Sequence, residues 1–284
     1  MNSLADPRLK MLSEAAGVNG NENEVRELLR TMVHPHAERA EVDRIGNLVA
    51  IKPGARYDLR VLAAAHMDES GGIVTGVLES GYVKFAAVGA VDPHVWPAKR
   101  VRIGKNKTPG VVGLRSVHLQ PPDRRRDPVK PEDLYIDIGA DSREEALKLV
   151  QTADYIVFDA RCEPFGERMV KGKALDGRAA CFVLCRLLEQ PHEAALTAVF
   201  TVQQEIGCRG AMVAANTLEY DLAVDIGALA ALDGRLVRLG GGPVVVRGGH
   251  ESDAERFDLE GLARLAAERG VPLQWAGAGD EGHQ

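Results

Sequence analysis

Apolar residues in this chain recur at helical spacing in some segments and form short continuous runs in others. Each of these two patterns predicts a different element. Helical spacing predicts helices in DPRLKMLSEAAG and NENEVRELLRTMV near the N-terminus, and later in GRAACFVLCRLLEQ, CRGAMVAANTL and DLEGLARLAAERG. Short runs that are almost entirely apolar, namely LRVLAAAH, ALTAVFTV and YDLAVDI, are typical of strands covered on both faces. Alternating strands and helices predict an α/β fold, with a mainly parallel sheet and helices on both faces.

The pattern changes at Gly71, where short alternating runs replace the long apolar ones. GGIVTGVLESGYVKFAAVGA is typical of a β-hairpin with its turn at Glu79–Gly81. Further short β runs follow, and LYIDIGA then leads into the helical segment SREEALKLV. We therefore predict a small β-rich domain at residues 71–163, inserted between two parts of a catalytic domain at residues 1–70 and 164–284.

Composition and charge narrow the class of protein. The 284 residues are 45% hydrophobic and carry a net charge of −6, which argues against a nucleic-acid-binding surface. The one basic run, Asp123–Asp127, is short and flanked by acids, so a solvated loop is the better interpretation. No apolar stretch reaches the ~20 residues of a membrane span, and the N-terminus has no signal-peptide pattern. We expect a cytoplasmic protein with free thiols at its four cysteines.

Ligand-type residues stand at or just beyond several strand ends, where sites form in open α/β sheets. They are His66 and Asp68 after VLAAA, Asp176 before a helix, Glu205 after ALTAVFTVQQ, and Asp225 at the end of YDLAVD. Imidazole and carboxylate groups suit zinc or a similar ion, and Asp68 could accept the second ring N–H of His66. Each residue also has a structural interpretation: a helix N-cap for Asp176, a structural histidine, or solvated loop acids.

The motifs AHMDESGGIV, EDLYIDIGA, GKALDGRAACFVL, FTVQQEIGCRGA and LAVDIG occur in the order found in the TET-type dinuclear-metal aminopeptidases, which this chain resembles almost end to end. That family includes glutamyl and deblocking aminopeptidases and members once labelled cellulase M. The resemblance implies a phosphorylase/hydrolase-like sheet interrupted by a β-rich dimerisation domain. It also implies a homo-oligomer, from a dimer to a dodecamer, that removes N-terminal residues from peptides.

The resemblance further implies one or two divalent ions per chain, with zinc or cobalt favoured. His66 and Asp225 would bind one ion and Glu205 the other. Asp176 would bridge the two, and Asp68 would support His66.

The chain departs from the family pattern in three ways. Gln204 stands where the family has its general base, and Gly177 stands where it has the acidic neighbour of Asp176. The family also continues to a final histidine ligand, for which neither His250 nor His283 has the matching context. Because a carboxamide cannot accept a proton near neutral pH, we expect impaired or lost activity. The alternative is a non-catalytic scaffold or peptide-binding subunit of the same fold, with a thiol hydrolase less favoured.

Overall fold

The computed structural model describes residues 6–115, 128–167, 169–229, 231, 237–247 and 258–277. The basic run Asp123–Asp127, His250 and His283 lie outside these residues. The chain forms two compact units, residues 1–227 and 228–284. All the predicted site residues fall in the first unit.

Helices in the described residues lie close to the predicted segments. They are α1 (Pro7–Glu14), α2 (Asn23–Val33), α3 (Arg143–Leu149), α4 (Leu175–Leu188), α5 (Arg209–Thr217) and α6 (Leu259–Glu268). Local chemistry sets the starts of several of them: the Asp6 carboxylate accepts the Arg8 backbone N–H at 2.9 Å, and Pro7 occupies the first turn of α1. Helix α4 begins differently, after Ala174 in the left-handed conformation.

The main sheet of the first unit has five strands in the order β1-β2-β12-β3-β13. Their bounds are β1 (Arg39–Val42), β2 (Leu48–Lys52), β3 (Arg56–His66), β12 (Ala194–Thr201) and β13 (Leu222–Asp225). Strands β12, β3 and β13 are parallel, whereas β2 is antiparallel to β12 and to β1. The fold is α/β as predicted, but this sheet is mixed, and only its site-bearing half is parallel.

Helices cover both faces of this sheet. On one face, α1, α2 and α4 pack over a core that includes Leu12, Leu29 and Phe200. On the other face, α5 contributes Ala214, which packs with Leu62 of β3 and Val199 of β12. Neighbouring residues of a strand point to opposite faces, so Val199 and Phe200 enter different cores. This double covering explains why β12 and residues 61–65 of β3 are nearly all apolar.

A closed six-stranded barrel follows β3. Its strands are β4 (Gly71–Val77), β5 (Val83–Val88), β6 (Arg100–Ile103), β7 (Thr108–Leu114), β8 (Leu134–Asp137) and β9 (Tyr155–Phe158), in the order β4-β5-β8-β7-β6-β9. Every pair is antiparallel. Its core is separate from that of the sheet and centres on Trp96, whose ring lies 4.9 Å from that of Phe85 and 4.6 Å from that of Phe158.

The remaining strands are short. A hairpin of β10 (Glu163–Phe165) and β11 (Met169–Lys171) follows the barrel. In the second unit, β14 (Val244–Arg247) runs parallel to β15 (Gln274–Gly277), and α6 belongs to the same unit. The sequence did not predict β1, β9, β10 or β11. None of the helices within the described ranges is long and apolar enough to cross a membrane.

Candidate metal centre

Three predicted ligands come together at the ends of the parallel strands. His66 ends β3, Asp176 lies in the first turn of α4, and Glu205 lies in the loop after β12. Each offers one ligand atom, and these atoms all lie within 4.8 Å of one another. His66 Nε2 is 3.6 Å from Asp176 Oδ2. Two atoms bound to one zinc ion at about 2.0–2.2 Å can stand this far apart, so the spacing suits a shared ion.

The His66 ring is closely packed and has several carboxylates near it. Its side chain is 13% exposed, and Gly177 lies against it so closely that an added Cβ would stand 2.6 Å from Cε1. Burial alone lowers the pKa of His66, but the carboxylates of Asp68, Asp176 and Glu205 together raise it above its usual range. Nδ1 is buried and has no hydrogen-bond partner among the described residues.

Asp68 lies beside His66, and its predicted support of that ring stays a prediction. Its carboxylate is fully buried and stands 3.8 Å from His66 Nδ1, beyond hydrogen-bond distance. Its two oxygens instead accept the backbone N–H groups of Gln204 and Glu205, each at 3.0 Å. The contact of Asp68 with His66 is therefore electrostatic, and its hydrogen bonds hold the loop that bears Glu205.

The segment from Val202 to Gly210, which runs from just after β12 into the first turn of α5, is firmly anchored. Gln203 is left-handed at φ +57°, and its N–H lies 3.3 Å from Glu22 Oε1. The fully buried Asn47 side chain accepts the Val202 N–H at 3.0 Å and donates to the Gly210 carbonyl at 2.9 Å. Both ends of the loop are thus tied to one side chain.

A buried ionic cluster that the sequence analysis missed lies beside the site. The Glu69 carboxylate accepts hydrogen bonds from Lys173 Nζ at 2.6 and 2.8 Å and lies 3.4 Å from Arg178 Nη2. Arg178 is fully buried and also donates to the carbonyls of Leu12 and Met67. Burial lowers the pKa of the Lys173 ammonium, and Glu69 counteracts this. The only hint in the sequence was proximity, since these residues flank Asp68 and Asp176.

Asp225 lies nearby but outside the three-residue group. It ends β13 opposite Ala64 of β3, two residues before His66. Desolvation raises the pKa of Asp225, while His66 opposes that shift. The candidate ligands are therefore a compact set of three with Asp225 beside it.

The donor chemistry fits a divalent transition metal. One imidazole nitrogen and two carboxylate oxygens are hard or borderline donors, and three protein ligands with an open position are typical of catalytic zinc. The carboxylates of Asp68, Asp176 and Glu205 raise the pKa of His66 against the effect of burial, and the same negative charges favour a bound cation. The closely packed backbone at Gly177 and the left-handed backbone at Gln203 both lie next to ligand residues in the fold.

The family of this chain is evident from its similarity to known proteins. Residues 46–283 match the family model described as M42 glutamyl aminopeptidase. The chain belongs to this family. A putative aminopeptidase of Acetivibrio thermocellus is 35% identical over 244 residues, which cover 84% of this chain and 71% of that protein. The resemblance seen in the sequence motifs is confirmed.

Solved structures of TET aminopeptidases share the fold closely. A TET aminopeptidase from a marine sediment thaumarchaeote has a TM-score of 0.86 at 28% identity, covering 95% of this chain and 80% of that one. The TET1 peptidase of Pyrococcus horikoshii, described as assembling into a tetrahedron or a large octahedral shell, has a TM-score of 0.83 at 30% identity, covering 95% and 83%. M42 aminopeptidases depend on divalent metals, so the three-residue group lies in a family where an ion is expected.

Proposed function

We propose that this M42 family member binds a divalent metal at His66, Asp176 and Glu205 and acts on the N-terminal residue of peptides with an impaired proton-transfer step. The proposal of a metal rests on the convergence of those three ligands. The proposal of impaired proton transfer rests on Gln204, which directly precedes Glu205. Asp225, which interacts electrostatically with His66, is proposed as a further ligand on the strength of the family resemblance.

An ion held there would act as a Lewis acid toward the peptide carbonyl and make an attacking water more acidic. The chain's own part is to place three ligands at one sheet edge and to hold the 204–205 backbone through Asp68. Residue 204 stands where the family has the group that takes the proton. The Gln204 carboxamide has no basic site near neutral pH, and general-base action contributes roughly 10²- to 10⁴-fold.

Zinc or cobalt is the metal we favour, because borderline nitrogen and oxygen donors suit both. We also propose a cytoplasmic homo-oligomer, between a dimer and a dodecamer, on the strength of the assemblies described for related TET proteins. The barrel is the proposed dimerisation domain, inserted at residues 71–163 between the two parts of the catalytic domain. No nucleic-acid or membrane partner is proposed.

The deciding experiment compares the unaltered protein with Gln204→Glu on aminoacyl substrates, with added zinc or cobalt. We expect very low turnover that a chelator abolishes, and a gain in kcat of at least about 10-fold in the variant. Full recovery is not expected, because Gly177 also replaces a family acid. Gln203→Glu is the matched control: it adds the same charge one residue earlier and should leave turnover unchanged.

Two outcomes would contradict the proposal. Robust turnover by the unaltered protein would mean that another group takes the proton. No turnover by either protein, on any aminoacyl substrate, would favour the alternative of a non-catalytic scaffold or peptide-binding subunit. The absence of a basic group at Gln204 is the specific observation that supports this alternative.

A further inference from the structure

Glu205 is held from two directions by the segment that also supplies His66. One residue of this segment, Asp68, accepts the Glu205 backbone N–H at 3.0 Å. Another, Ser70, donates its hydroxyl to Glu205 Oε2 at 2.8 Å. The backbone and the side chain of Glu205 are therefore fixed separately, by two residues within four positions of His66.

We propose that Ser70 and Asp68 are positioning residues that keep Glu205 a one-oxygen metal ligand, with Ser70 occupying Oε2 and leaving Oε1 for the ion. This inference rests on the proposed function, since it needs a metal at the three-residue group. A carboxylate that binds with one oxygen commonly has its other oxygen hydrogen-bonded, and such outer contacts orient the ligand.

The barrel restricts the Ser70 hydroxyl. Gly89, just after β5, is left-handed at φ +92°, and an added Cβ there would stand 2.4 Å from Ser70 Oγ. A residue at position 89 with a side chain would therefore crowd the hydroxyl. This contact joins the end of a barrel strand to the loop that bears Glu205, through one side chain.

Asp68 completes the arrangement because its two oxygens serve two consecutive N–H groups. Gln204 and Glu205 each donate to a different oxygen of the same fully buried carboxylate. Asparagine at position 68 would present an amide N–H₂ group to one of these donors. The isosteric change Asp68→Asn should therefore release the loop without changing its packing volume.

The test is titration of the full-length apoprotein with cobalt(II) alone, followed by calorimetry and by the visible spectrum of the bound ion. Ser70→Ala is expected to weaken cobalt binding by about 10- to 100-fold and to shift the spectrum, because Glu205 gains a free second oxygen. Asp68→Asn should weaken binding over the same range. Ser142→Ala is the matched control: it removes a serine hydroxyl that caps α3, far along the chain from the ligands, and should leave both readouts unchanged.

The outcomes separate the two proposals. Failure of the unaltered protein to bind cobalt overturns both the metal centre and this inference. Normal binding by the unaltered protein, with the same affinity and spectrum in Ser70→Ala, overturns only the inference. A drop in the stability of the apoprotein with an unchanged cobalt spectrum would make Ser70 merely structural, and would overturn it too. If Ser70→Ala does not fold, Asp68→Asn decides by the same two readouts.

Discussion

The sheet region and the barrel bury very different kinds of side chain. Of the ten buried polar or charged residues in the described structure, Thr108 alone belongs to a barrel strand, and the other nine lie outside the barrel. The barrel core is apolar, with Trp96 and Ile136 among its fully buried members. Buried charge costs free energy unless it is paired. We infer that apolar packing stabilises the barrel. Beside the sheet edge, by contrast, the burial of charged side chains costs free energy, and that region holds the ligands.

Removing the negative charge from the buried ionic cluster should destabilise the protein more than any other change considered below. Glu69→Gln keeps the shape of the side chain but leaves Lys173 and Arg178 without their carboxylate. We expect a loss of about 3–5 kcal/mol in the free energy of unfolding, measured by urea denaturation, because an uncompensated buried charge remains. Glu144→Gln is the control, since its partner Lys148 is exposed on α3, and no measurable change is expected. Equal effects in the two variants would show that the cluster is not energetically special.

A cavity in the barrel should destabilise the protein by a different route. Ile136→Ala removes a fully buried side chain from the apolar core, and we expect a loss of about 2–5 kcal/mol in the free energy of unfolding. Cobalt affinity of the folded protein should stay the same, because the ligands and the loop anchors are not members of this core. A loss of cobalt affinity matching that of Asp68→Asn would contradict the separation of the two regions.

The smallest expected effect concerns the single buried polar group in the barrel strands. Thr108 Oγ1 donates to the Leu149 carbonyl at 3.1 Å. Thr108→Val keeps the shape and removes that donor, so we expect a loss of about 1 kcal/mol. Denaturant midpoints of the two proteins, at equal m-values, provide the measurement. A loss near that of Glu69→Gln would mean that the barrel also depends on buried polar contacts.

The sequence alone determined the α/β class, most helices and the longer strands. Helix α2 and strand β12 illustrate why, since α2 buries a periodic apolar face and β12 is an apolar run covered on both faces. His66, Asp176 and Glu205 could also be chosen, because strand ends in a parallel arrangement meet at one edge. The family followed from five ordered motifs, and the family model confirms it.

Tertiary structure alone decided the closed barrel, the mixed order of the sheet and the partners of each buried charge. Asp68 shows the reason: proximity in sequence suggested His66, yet its oxygens accept from Gln204 and Glu205, more than 130 residues away. The same holds for Glu69, whose cations lie beyond the barrel in sequence. Periodicity reports which face of an element is buried. It does not report which distant hydrogen-bond donor meets a buried carboxylate, because that contact exists only once the chain has folded back on itself.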